Sequence, residues 1–157
     1  MKNGFTLIEM LVVVGIGVMM AVVSISLYGN LQISAQLNEN TAQIIQTLRI
    51  ARERSIAGYN NRAHGVYLVI NPSGSDRYIL YQGINYNTRA ADFDQVQVLD
   101  SALSLGVSDF KMSGSDVDIN FSPSSGWPSA TGTIILTHSS QGSRSIKINN
   151  LGIVEQN

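Results

Sequence analysis

Residues 10–38 contain no charged side chain, and the carboxylate of Glu9 stands immediately before them. No other feature constrains the chain as tightly. Residues 10–27 are apolar except for Gly15, Gly17, Ser24 and Ser26. A helix of about 20 apolar residues crosses a bilayer, so this run is a candidate transmembrane segment. Lys2, the only charge ahead of Glu9, places the N-terminus in the cytoplasm and the rest of the chain outside it. A secretory signal would carry an apolar block of roughly 7–15 residues and then a small-residue cleavage site. This run is longer, and more helix-compatible sequence follows Gly29. The position of Glu9 is the difficulty, because a carboxylate in hydrocarbon costs roughly 2.5–3.5 kcal/mol and calls for a partner.

Past Gly29 the pattern becomes amphipathic. Leu37, Thr41, Ile44, Ile45, Leu48, Ala51 and Ile56 recur at three- and four-residue steps, with Asn38, Glu39, Gln43, Gln46, Arg49 and Arg52 between them. One helix face therefore packs on a domain. Gly58 followed by Tyr59-Asn60-Asn61 stops the helix, and Arg52 and Arg54 suit its C-terminal dipole. A helix over residues 5–57 would be roughly 80 Å long at 1.5 Å per residue. Such a stalk suits a filament subunit better than a monomeric enzyme.

From Gly65 the period shortens to two. Residues 65–70 (GVYLVI) and 77–82 (RYILYQ) predict a hairpin across Asn71-Pro72-Ser73-Gly74-Ser75-Asp76. Residues 84–94 read as a polar surface loop and 96–99 as a short strand. Val117, Ile119 and Phe121 alternate with Asp116, Asp118 and Asn120, one face buried and one wet. Residues 133–137 and 144–148 predict a second hairpin, and 152–154 an edge strand. The fold class is α+β: a long N-terminal helix, half transmembrane and half amphipathic, packed on a C-terminal antiparallel β-sheet domain.

Gly4-Phe5-Thr6-Leu7-Ile8-Glu9 resembles the class III signal of type IV pilins and pseudopilins, in which a short basic leader ends in glycine. In that family a methylatable aromatic begins the mature chain and a glutamate is its fifth residue. The resemblance implies prepilin peptidase cleavage between Gly4 and Phe5, N-methylation of the Phe5 amine, and a role for Glu9 in assembly registry. Glu9 of an incoming subunit would pair with the Phe5 amine of its neighbour. It implies a leader at 1–4, a transmembrane and filament-core helix at 5–28, an amphipathic half-helix at 29–58, and a periplasmic or extracellular β-rich domain at 59–157. The implied partners are other pilins or pseudopilins through the N-terminal helix, the prepilin peptidase, the inner-membrane assembly platform, and the lipid bilayer before assembly. The implied location is the inner membrane, single-pass, and then a filament. Many pilins carry a proline in the second half of the apolar run; this chain has none there.

Residues 45–56, Phe121-Ser122-Pro123 with Gly126, residues 133–136, and 144–148 with Gly152 are similar to the H-type minor pseudopilins of type II secretion and to minor pilins of the FimT group. That likeness implies a minor subunit at or near the filament tip. The alternatives are a DNA-capturing tip pilin and a major pilin of the fibre body. Some FimT-type pilins bind DNA through arginines beside the last glycine. Here that stretch reads Gly152-Ile153-Val154-Glu155, and the net charge is −1, so a nucleic-acid partner is not expected.

Catalysis is not expected either. There is no cysteine, His64 and His138 stand far apart, and no nucleophile elbow, zinc-protease motif or phosphate-binding glycine loop occurs. No cofactor or metal is expected. Asp92/Asp94 and Asp116/Asp118 have the two-residue spacing of calcium ligands, but the second pair also reads as a solvated strand face. Trp127 is either a contact for another pilin or a cover over the sheet core.

Overall fold

A computed structural model describes residues 5–110 and 116–156, with only the backbone described at 23–28. A single helix, α1, runs uninterrupted over Leu7–Ile56, through Gly15, Gly17 and Gly29. The chain divides into two compact units between Ala35 and Gln36.

In the first unit every described side chain of residues 5–22 is exposed. Phe5, Leu7 and Ile8 are 80%, 83% and 71% exposed. Among the described residues such a helix has no apolar partner within its own unit.

In the second unit α1 buries Leu37, Thr41, Ile44, Ile45, Leu48, Ala51 and Ser55. The expected face holds except at its end, where Ile56 is 40% exposed and Ser55 is fully buried. The step of four from Ala51 lands on Ser55, so helical geometry selects the serine. Ser55 is also needed for bonding, since its hydroxyl accepts from the His64 amide at 2.8 Å and donates to the His64 carbonyl at 3.2 Å. Helix α1 ends where expected, with Gly58 left-handed at φ 62°.

Thr41 is fully buried and its hydroxyl has no hydrogen-bond partner among the described residues. Thr41→Val keeps the branched shape and removes the orphan group. It should therefore raise stability by about 1 kcal/mol, read as a higher melting temperature of the full chain in detergent.

Among the described residues eight antiparallel strands follow: β1 (His64–Val69), β2 (Arg77–Gln82), β3 (Gln95–Val98), β4 (Leu103–Ser108), β5 (Val117–Phe121), β6 (Gly132–His138), β7 (Ser143–Ile148) and β8 (Val154–Gln156). They form two four-stranded sheets, ordered β3-β2-β1-β5 and β4-β6-β7-β8. The α+β class is as expected, with two sheets in place of one. β4 makes the difference: it pairs along its length with β6 and opens the second sheet. The core holds Val66, Leu68, Leu80, Val117, Ile119 and Phe121 from the first sheet. Leu105, Ile134, Leu136, Ile146 and Ile148 come from the second. Buried Asp76 ties the sheets together, accepting from the Asn71 amide at 2.7 Å and the Leu105 amide of β4 at 2.6 Å.

Candidate functional site

The start of α1 is built by a capping box. Thr6 precedes the first helical turn, and its hydroxyl accepts from the Glu9 amide at 3.4 Å. Glu9 reaches back, its carboxylate accepting from the Thr6 amide at 3.4 Å and the Thr6 hydroxyl at 3.3 Å. The reciprocal pair satisfies the Thr6 amide, which the helix leaves free, and adds to the 3.1 Å bond that the Glu9 amide makes to the Thr6 carbonyl. A carboxylate in the first turn also meets the positive end of the dipole. All three contacts are long for hydrogen bonds, so the box is loose. Glu9 is thus held at a helix start, among exposed Phe5, Leu7, Ile8 and Met10, by bonds that a cation could displace. The Thr-x-x-Glu spacing makes this cap legible in the sequence, although the assembly reading of Glu9 does not use it. Lys2 and Gly4 lie outside the described residues, as do the side chains of Ser24 and Ser26.

Residues 1–25 match the family model of the prokaryotic N-terminal methylation motif. Over that N-terminal stretch the chain is type IV pilin-like. No curated protein and no solved structure matches it. The motif implies processing by a prepilin peptidase and assembly with other pilins, as a subunit anchored in the inner membrane before it enters a filament. Among the described residues no helix is long and apolar enough to cross a membrane.

Most of the other residues singled out in the sequence have structural partners. Arg49 donates to the Val154 carbonyl at 3.1 Å and Arg52 to the Leu151 carbonyl at 3.2 Å, so both clamp the C-terminal segment onto α1. Gly152 sits between them at φ 74°, where a Cβ would run into the Gly126 carbonyl and the Arg52 side chain. Arg144 donates to Asn38 of α1 at 2.9 Å. Arg54 rests over the Tyr59 ring, 5.6 Å from its centroid. Trp127 is 60% exposed, which favours the contact reading over the cover reading. His64 is buried against Tyr59, and burial followed by the nearby Arg54 charge lowers its pKa. The His138 Nδ1 accepts from the Ser140 amide at 3.1 Å.

Of the acidic pairs, Asp92 is exposed, whereas Asp94, Asp116 and Asp118 are engaged within the fold. Asp116 accepts from the Tyr67 hydroxyl at 2.9 Å. Asp118 accepts from the Tyr81 hydroxyl and from the Tyr86 amide. Asp94 is paired with Arg89 at 2.7 Å. Tyr86 stacks on Tyr67 at 3.7 Å, and the Arg89 guanidinium covers its other face at 3.7 Å. The alternation along β5 is as expected, but its polar face is roofed by tyrosines rather than bathed in water. Among the described residues no cluster of three or more acids or histidines could hold a metal ion.

This roof sets a pH response. Burial first, then the Asp116 hydrogen bond, pushes the Tyr67 phenol up to about 12. Burial, then Asp118, raises Tyr81 further still. Both folded values lie above the unfolded one, so the folded state holds protons that the unfolded chain releases. Their contribution is complete below about pH 10 and is lost as pH rises through about 12 for Tyr67 and at still higher pH for Tyr81. Ultraviolet titration of the full chain should show these two phenols ionising after the exposed tyrosines, and together with unfolding. Ionisation of all six tyrosines in one step near the ordinary value would contradict this.

Proposed function

We propose that this pilin-like chain is a minor subunit, a structural protein without catalytic activity, at or near the tip of a type II secretion pseudopilus or a type IV pilus. The observation that carries the reading is a methylation-motif helix whose apolar side chains are exposed all round behind one carboxylate. A helix apolar on every side is stable only in lipid or among other helices. In the proposed cycle the bilayer holds residues 5–28 until assembly, and the peptidase cuts between Gly4 and Phe5 and methylates Phe5. The new amine has an ordinary pKa of about 8 and is cationic at neutral pH. Glu9 of an incoming subunit then exchanges its loose cap for the Phe5 amine of a neighbour, which sets the axial register. The minor role is supported by the likeness of four short segments, residues 45–56, 121–126, 133–136 and 144–152, to H-type pseudopilins and FimT-group pilins.

Mass spectrometry of filaments sheared from the native cells tests this by reading stoichiometry, co-purifying subunits and the N-terminal mass together. The expected result is a trace subunit beginning at methylated Phe5 and accompanied by other minor pilins. If the chain forms the bulk of the fibre, the minor assignment is wrong. If its N-terminus is still Met1, the processing assignment is wrong.

A further inference from the structure

Four strands form the edges of the two sheets, and three of those edges are engaged within the chain. β5 is bonded by the loop that follows it, through the Phe121–Pro128 bridge and the Ser129 amide on the Asn120 carbonyl at 2.7 Å. β4 gives its Leu105 amide to Asp76, and the β8 carbonyl of Val154 accepts from Arg49. β3 differs. All four of its residues are exposed, and among the described residues nothing bonds its outward backbone edge. Proteins blunt such edges with lysine, proline or a bulge. The stretch Gln95-Val96-Gln97-Val98 is short but has no lysine, proline or bulge, and its register with β2 is continuous.

The space beside that edge is shaped. Gln97 stands opposite buried Tyr78, and Gln95 opposite buried Leu80, so both face α1, while Val96 and Val98 face away. Gln97 lines a cavity of about 270 Å³ with Gln46, Thr47, Ile50 and Tyr78. Gln95 lines a second, of about 100 Å³, with Arg54, Tyr59, Leu80 and Phe93. The two cavities therefore lie at alternate positions along one strand, roughly 7 Å apart. A strand laid against β3 would send its own alternate side chains into them. The only ion pair among the described residues is Arg89–Asp94, so Arg54 beside the second cavity has no carboxylate.

We propose that β3 is a strand-addition site for an extended segment of a neighbouring pilin subunit, one that places an apolar side chain beside Ile50 and a carboxylate beside Arg54. The backbone edge supplies the affinity and the two cavities supply the choice of side chains. A helix cannot fill this role, because its own amides and carbonyls are already paired. The identity of the partner rests on the pilin reading.

The test uses the full-length chain in its native cells, with a photoreactive residue at position 96 and a control at exposed position 147 on β7. Capture sites are read by mass spectrometry in sheared filaments and in membranes. The expected product joins β3 to an extended, acid-bearing segment of another pilin. Arg54→Glu should lower its yield about tenfold while the subunit still enters filaments. Amides 95–98 should exchange more slowly in filaments than in the detergent-solubilised chain. If the subunit enters filaments but those amides exchange equally, and position 96 captures a helix or nothing, strand addition is overturned and the pilin reading stands. If the chain is absent from filaments and position 96 captures a non-pilin protein or nothing, the pilin reading fails and the stated partner fails with it.

Discussion

Glu9→Gln leaves the subunit folded and in the membrane but depletes it from filaments by about tenfold or more, the scale set by losing a charge at a close ion pair. The substitution separates the two roles that the structure and the proposed cycle give this carboxylate. Glutamine serves at the third position of a capping box as glutamate does, so the start of α1 is kept. Membrane residence should also persist, because an amide is less costly in hydrocarbon than a carboxylate. What is lost is the negative charge that a neighbour's Phe5 amine would find. Immunoblots of sheared filaments against the membrane fraction measure the effect. Unchanged filament levels would reduce Glu9 to the capping residue that its Thr6 contacts already make it.

Asp76→Ala produces the largest loss of stability in the globular unit. Two amides depend on this buried carboxylate, that of Asn71 in the β1–β2 turn and that of Leu105 in β4. Removing the acceptor leaves both unpaired where water does not reach, at about 1–3 kcal/mol each. A combined loss near 4 kcal/mol lowers the melting temperature by roughly 10 °C or more in a domain of this size. Asp76→Asn, with one acceptor oxygen in place of two, should fall between. Thermal denaturation of the full chain in detergent decides the matter. An alanine variant that melts within a few degrees of the parent would mean that Asp76 does not hold the sheets together.

Features carried by contiguous residues were legible in the sequence. The N-terminal motif lies in six neighbouring residues, 4–9, and β2 occupies the stretch expected for it. The stop at Gly58 also follows from local chemistry, because glycine readily takes a left-handed φ. β4 was harder to read. Leu103, Leu105 and Val107 do alternate, but Ser104, Gly106 and Ser108 between them resemble a loop. Ser55 and Asp76 could not be recognised from local sequence, since each acts on an amide that the fold brings in from elsewhere. The same holds for Arg49, Arg52 and Arg144, where a charge run gives no sign of the carbonyls and amide that meet it.

The arginine clamp has a consequence for the order in which the globular unit is completed. Arg49 finds its carbonyl 105 residues later and Arg52 its carbonyl 99 residues later, so both bonds close over almost the whole domain. Contacts so distant in sequence form late, after the loop-closure entropy has been spent on nearer ones. The helix therefore emerges first with its guanidinium groups unattached, and only residues made about a hundred positions later can quiet them. A nascent or truncated subunit that lacks residues 151–154 shows two unclasped cations on the helix, an advertisement of incompleteness that the finished fold withdraws.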